Sequence, residues 1–270
     1  MLKKKSIIII TIIVGFIVFC IVQNNLIGVS NFEIESSKIS RQVRIVHLSD
    51  LHDKQFGKGN KILIDKVKQQ EPDIIVFTGD LVNWNTKDFT ASVNTLSELN
   101  KFAQVYFIPG NHEYRSGKSE SIFKMLRKVD IEVLNCATKY IIANGEKIDI
   151  IGLDKSIARV KTAEKKLIEF EKSSNFKIVL SHFPEDFSRY YCNYNVDLVL
   201  SGHAHGGQFD IPFIGGVYAP GQGFFPKYYK GVYSENGVKL VVSRGLGNSK
   251  IPLRIFNNPE IVVIDIKPSK

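Results

Sequence analysis

The stretch Val43-Arg44-Ile45-Val46-His47-Leu48-Ser49-Asp50-Leu51-His52 decides how this chain reads. Residues 43–48 form a β-branched, apolar run of strand length, which breaks abruptly into a polar tip. The same event recurs four times. The run 73–77 ends at Thr78-Gly79-Asp80, and 104–108 ends at Pro109-Gly110-Asn111-His112. The run 176–180 ends at Ser181-His182, and 196–200 ends at Gly202-His203-Ala204-His205. Segments 60–70, 88–102 and 161–172 have helical spacing, and 147–153, 238–243 and 260–266 read as further strands. Short apolar strands alternating with helices predict βαβ units, an α/β fold and a largely buried sheet.

Open α/β sheets gather their ligands at the C-terminal ends of strands. Five of the six histidines stand at such ends. Asp50 and His52 alternate along a segment expected to be extended, so both can face one point, and His203 and His205 repeat that spacing. Asp and His together suit a divalent ion such as manganese, iron or zinc. Asn111 adds a neutral carbonyl oxygen, and Asp80 is a carboxylate able to bridge two ions. Gly202, Ala204, Gly206 and Gly207 allow close backbone approach. Singly, each residue has an ordinary reading: a turn or cap for the aspartates, a structural role for a histidine. Together they offer seven candidate ligands at five strand exits. His47, inside the first strand, reads as structural.

The net charge of +9 is unevenly placed. Lys3, Lys4 and Lys5 lead the chain, and residues 1–30 have no acidic residue, which leaves 33 Lys and Arg against 27 Asp and Glu, or +6, for the rest. That suits an anionic substrate or surface and argues against nucleic acid, since no dense basic run is present. Cys136 and Cys192 lack C-x-x-C spacing, which excludes a zinc-thiolate site and leaves free structural thiols. No protein partner is implied.

After the three lysines, residues 7–22 carry no charge, and extension to Ile27 gives about 20 residues, enough to span a bilayer. The leading lysines favour an N-inside helix with the rest extracytoplasmic. Cleavage as a signal peptide near Gly28-Val29-Ser30 is the alternative, giving a secreted protein. The expected organisation is a membrane segment over 1–30, a polar linker over 31–42 and one catalytic domain over 43–270.

In order, Asp50-Leu51-His52, Gly79-Asp80, Gly110-Asn111-His112-Glu113, His182 and Gly202-His203-Ala204-His205 resemble the five signature blocks of the metallophosphoesterase, or calcineurin-like phosphoesterase, superfamily. The N-terminal span, Gly206-Gly207-Gln208 and Ser243-Arg244-Gly245-Leu246-Gly247 are similar to its membrane-associated bacterial branch, which includes phosphodiesterases and UDP-2,3-diacylglucosamine hydrolases. The resemblance implies a four-layer α/β/β/α sandwich. It implies one metal on Asp50, His52, Asp80 and His205 and a second on Asp80, Asn111, His182 and His203, with Asp80 shared. The implied reaction is hydrolysis of a phosphodiester or pyrophosphate bond by a hydroxide bridging the two ions, on a lipid-linked or nucleotide-linked substrate. His112 would protonate the leaving oxygen or stabilise charge, oriented by Glu113 or a backbone carbonyl. A nuclease of the same superfamily and a non-catalytic binding module on the same fold are the competing readings.

Two features point to substrate. Arg244 and Arg254 are candidate phosphate clamps, with structural pairing as the alternative. Residues 223–230, Gly-Phe-Phe-Pro-Lys-Tyr-Tyr-Lys, would suit a bilayer interface or a hairpin with a packed aromatic face. Asp53-Lys54-Gln55 has no assigned role.

Overall fold

The computed structural model describes residues 2–153, 161–248 and 252–269. A 24-residue helix, α1 (Leu2–Asn25), opens the chain. Its span Lys4–Asn25 is apolar and long enough to cross a membrane by length and composition, and is almost wholly exposed. Strand β1 (Gly28–Ser36) follows, then β2 (Val43–Leu48), α2 (Lys61–Lys68), β3 (Ile74–Thr78), α3 (Thr90–Asn100) and β4 (Gln104–Ile108). Next come α4 (Asn111–Arg115), α5 (Ser119–Lys128), β5 (Glu132–Val133), β6 (Ala137–Ala143) and β7 (Glu146–Leu153). Then follow α6 (Lys161–Phe170), β8 (Phe176–Ser181), α7 (Asp186–Arg189) and β9 (Leu198–Ser201). Two small hairpins, β10 (Asp210–Ile211) with β11 (Gly215–Gly216) and β12 (Tyr218–Ala219) with β13 (Gly223–Phe224), precede β14 (Gly231–Glu235), β15 (Val238–Val242) and β16 (Glu260–Pro268).

The long strands form two six-stranded mixed sheets, ordered β1-β16-β2-β3-β4-β5 and β14-β15-β9-β8-β7-β6. The inner faces meet through residues such as Ile45, Val76, Ile150, Ile178, Leu200 and Ile264. Helices α2, α3 and α5 cover the outer face of the first sheet through Leu63, Val67, Leu96 and Phe123. Helix α6 covers the second through Ala163 and Leu167. The expected four-layer α/β/β/α arrangement is therefore present. β3 and β8 are buried along their whole length because both faces of each sheet are covered, which is why they read as apolar runs, broken in β8 only by Lys177, whose ammonium donates to Glu171 O and Ser173 O. The three cysteines are free thiols.

Residues 31–42 differ from the expected linker. Gly28–Ser36 pairs in parallel with Glu260–Pro268, Phe32 opposite Ile264. The strand has polar residues at alternate positions and sits at a sheet edge, where one side stays solvated and a continuous apolar run is not required.

Candidate active site

The polar tips of β2, β3, β4, β8 and β9 converge between the sheet ends. Extended alternation is not what aims them. Asp50, His52, Asp80, His203 and His205 have φ of 54°, 50°, 56°, 65° and 47°, so five of the seven candidate ligands lie in the left-handed region. Such backbone costs on the order of 1 kcal/mol or more per non-glycine residue and persists only where its surroundings impose it. Here they do. Asp50 N–H donates to Gly79 O at 2.9 Å, and His52 N–H donates to Asp80 O at 3.0 Å. Leu246 N–H reaches Ser49 O at 3.0 Å. The β3 and β4 tips touch so closely that a Cβ on Gly110 would lie 2.2 Å from Asp80 Oδ1.

All seven side chains come together. Asp50 Oδ1 is 3.5 Å from His205 Nε2 and 3.9 Å from His52 Nε2. Asp80 Oδ2 is 3.7 Å from His52 Nε2 and 3.3 Å from His182 Nε2. His182 Nε2 is also 3.1 Å from His203 Nδ1 and 3.2 Å from Asn111 Oδ1. Among the described residues, three groups bring ligand atoms within 4.8 Å of one another: Asp50 with His52 and His205, Asp80 with His182 and His203, and His52 with Asp80 and His112. The last group puts His112 closer to the ligands than expected. Its ring meets that of His52 edge-on at 4.5 Å.

Burial sets the electrostatics. It drives His52 down to about 4 and His203 to about 3, and lowers His205 well below its ordinary value, leaving neutral imidazoles with a free lone pair. Burial also pushes Asp50 up to about 6, reinforced by the Asp80 charge. At His182 burial opposes charge, but the Asp80 and Asp50 carboxylates outweigh it and hold the group up at about 10. For Asp80 burial is likewise outweighed, by the charge and hydrogen bond of His182, so its pKa is lowered.

This donor set fits divalent cations. Among the described residues, the buried Asp50 and Asp80 carboxylates have ion-pair partners only among histidines, and the buried Arg254 acts on Asp50 by charge alone, from beyond ion-pair distance. His52 Nε2 and His205 Nε2 face each other at 3.3 Å, a spacing at which two lone pairs need a proton or cation between them. His182 is set for ligation by Nε2, because its Nδ1–H donates to Thr78 O at 2.7 Å.

Several supporting roles differ from expectation. Glu113 does not orient His112. It accepts from the amides of Gly110 at 2.7 Å, Asp80 at 2.9 Å and Val82 at 3.2 Å. His112 is instead held by Trp84, whose N–H donates to His112 Nδ1 at 3.2 Å, which assigns the neutral ring's proton to Nε2. Arg244 and Arg254 are not brought to the site as phosphate clamps. Arg244 pairs with Glu260 at 3.0 Å. Arg254 is buried and donates to the carbonyls of Arg244, Gly245, Gly247 and Asn257, the structural pairing weighed as its alternative. Asp53 gains a role, accepting from Asn83 N–H at 2.8 Å, Ser92 Oγ–H at 2.9 Å and the Thr86 hydroxyl, which fixes the loop after β3.

A cavity of about 340 Å³ opens beside the cluster, lined by Asp80, Asn83, Trp84, Asn111, His112, Arg115, His203, His205, Pro220 and Gly221. Asn83, Trp84 and Arg115 were not anticipated. Arg115 is four residues after Asn111 on α4, one helical turn, and that spacing is the signal that could have found it. Its guanidinium lies 5.8 Å from the Trp84 ring centroid.

With the fold and donor cluster in place, the class is that of a metal-dependent phosphoester hydrolase. Residues 43–207 match the calcineurin-like phosphoesterase family, and the chain belongs to it. It is 33% identical over 230 residues to the uncharacterized metallophosphoesterase YkuE of Bacillus subtilis, covering 83% of this chain and 79% of that one. It is 33% identical over 252 residues to the uncharacterized metallophosphoesterase Cj0846 of Campylobacter jejuni, covering 90% of this chain but only 64% of that protein. In fold it is similar to a 5'-nucleotidase precursor from Thermus thermophilus, with a TM-score of 0.51 at 16% identity, over 84% of this chain and 54% of that one.

Proposed function

We propose that the chain hydrolyses a phosphodiester or pyrophosphate bond with a pair of divalent ions, manganese, iron or zinc, at Asp50, His52, Asp80, Asn111, His182, His203 and His205. The observation that carries this is the position of Asp80. One carboxylate oxygen, Oδ2, stands within 3.7 Å of His52 and 3.3 Å of His182, histidines of two separate ligand groups. When bound, the ions would supply Lewis acidity toward the phosphoryl oxygens and an activated water.

The chain's own residues support the rest of the reading. His112 lines the cavity and carries its proton on Nε2, which suits donation to a departing oxygen. Arg115 is the basic residue of the cavity wall, suited to a phosphate oxygen, and Trp84 offers a flat apolar surface for the leaving group. Helix α1 supports a single-pass anchor with the domain outside the cytoplasm, where the substrate would be a lipid-linked or nucleotide-linked phosphoester, as in the UDP-2,3-diacylglucosamine hydrolase branch. Residues 1–30 and 43–270 then act as anchor and catalytic domain.

Purified full-length protein should be assayed on phosphomonoesters, aryl phosphodiesters and lipid pyrophosphates, with added manganese and with chelator. Chelator-sensitive turnover of a diester or pyrophosphate is the expected result. Protein that takes up no divalent ion and turns over none of the panel would end the proposal.

A further inference from the structure

We propose that Phe213, Ile214, Phe224, Phe225 and Phe256 form a bilayer-docking surface that sets the catalytic cavity against the membrane, so that the substrate it receives is an amphiphile, a phosphoester borne on a lipid. The substrate part rests on the phosphoesterase reading above.

These five side chains are 110%, 62%, 74%, 68% and 49% exposed. Of the large apolar residues exposed elsewhere on the body, Ile62 and Ile168 stand on α2 and α6, and Tyr140 and Ile142 are a pair on the edge strand β6. Isolated exposed apolar residues are normal, whereas a cluster marks an interaction surface. Phe213, at the turn joining β10 and β11, has φ 67°, a left-handed conformation unusual for a bulky residue. Phe225 has φ 52° and is likewise turned outward. The aromatic segment 223–230 thus divides. Tyr228 packs edge-on against Phe187 and Tyr233, the hairpin reading, while Phe224 and Phe225 face solvent. Lys227 and Lys230 pair with Glu235 and Asp210, so apolar contact rather than charge carries the surface.

The bilayer is the occupant because of what adjoins this face. The apolar helix α1 comes down on it, with the Phe19 ring 5.3 Å from that of Phe256. A line of direct contacts runs from there. Ile255 bridges to Phe209, Asp210 N–H donates to Ile255 O at 3.0 Å, Val217 N–H to Phe209 O at 2.9 Å, and Phe225 N–H to Val217 O at 3.0 Å. The same segment reaches the cavity, since Pro220 and Gly221, in the turn between β12 and β13, line its wall. One hairpin therefore carries an exposed aromatic at its base and part of the active-site rim at its tip. A bilayer meeting Phe224 lies beside the mouth that admits substrate.

The test uses the full chain with Cys20, Cys136 and Cys192 replaced by alanine, in phosphatidylcholine–phosphatidylglycerol vesicles. Single cysteines F213C, F224C and, as a distant control, I142C carry an environment-sensitive fluorophore, and lipid-borne quenchers report depth. Labels at 213 and 224 should shift to the blue and be quenched several-fold more than the label at 142. Quenching equal to the control would overturn the proposal, as would a blue shift in detergent that grows with protein concentration, which would mark a second copy as the occupant. In parallel, F213S/F224S/F225S should keep turnover of water-soluble ethyl p-nitrophenyl phosphate and lose about tenfold or more on vesicle-bound hexadecyl p-nitrophenyl phosphate. Equal effects on the two substrates would overturn the proposal. Absence of turnover of both esters by the unmodified chain would instead remove the phosphodiester arm of the reading above, leaving the depth measurement to decide the docking surface by itself.

Discussion

Glu113 holds Asp80 by the backbone. Its Oε2 accepts from the Asp80 amide at 2.9 Å and from the Gly110 amide at 2.7 Å, binding the tips of β3 and β4 into one unit. Burial, with the Asp80 charge beside it, raises Glu113 to about 7, so this carboxyl is held in place at a cost that its three amide donors offset. Glu113→Ala leaves those buried N–H groups without a partner, each worth about 1–3 kcal/mol. The expected outcome is a destabilisation of about 2–5 kcal/mol in urea unfolding, together with weaker metal uptake. Unchanged stability and metal content would show that the clamp is dispensable.

Asp80 and His112 should separate metal binding from turnover. Asp80→Asn is expected to abolish turnover and reduce metal content at both positions. His112→Ala is expected to lower kcat by about 10²–10⁴-fold, the usual range for a lost proton donor, with metal content near normal. Metal analysis alongside an aryl phosphodiester assay checks both. Loss of metal in His112→Ala would move that histidine into the ligand set, a role its position beside His52 and Asp80 permits geometrically.

Arg115 and Trp84 should govern substrate affinity. Arg115→Ala removes the cation from the cavity wall and is expected to lower kcat/KM by about tenfold, largely through KM, with Arg115→Lys recovering part of the loss. Trp84→Ala should act mainly on substrates with a flat leaving group. Equal kcat/KM values for the variants and the unmodified chain across such a series would count against a substrate role.

His47 gives a pH dependence independent of turnover. Burial lowers it to about 3, and its Nε2 lies 2.7 Å from Thr78 Oγ1. Below the ordinary pKa of 6.5 the unfolded chain binds a proton that the folded chain excludes. Stability from this group is therefore complete above pH 6.5 and lost as pH falls toward 3, at up to about 1.4 kcal/mol per pH unit. Urea midpoints in chelator at pH 7 and 4.5 should fall further for the unmodified chain than for His47→Gln, which cannot take up a proton. Parallel pH dependence in the two proteins would reject the assignment.

Much of this was legible in the sequence because strands buried on both faces leave a strong trace. β2, β3, β4, β8 and β9 each ended within about two residues of the expected position, and the ligands followed from those ends. The edge strand β1 and the short hairpins left no such trace, since half-solvated backbone tolerates polar residues. The backbone route to the site was also hidden. Nothing in Asp50-Leu51-His52 announces left-handed φ, which the contacts between neighbouring tips impose. Trp84 and Arg115 lay outside the strand-end pattern, and the choice between clamp and structural pairing for Arg244 and Arg254 was not legible because their neighbours, Glu260 and a set of turned carbonyls, come from distant or irregular chain.

Only Leu26 and Ile27 separate the end of α1 from the first residue of β1, and β1 is stitched along nine residues to β16. The body therefore has no slack with which to swing on its leading helix. If that helix stands in a bilayer, the catalytic mouth keeps one height and one tilt above the lipid plane. Its encounters are then confined to molecules moving in two dimensions past a fixed opening, and inserting a flexible spacer at residues 26–27 would change which substrates it meets without altering a single ligand.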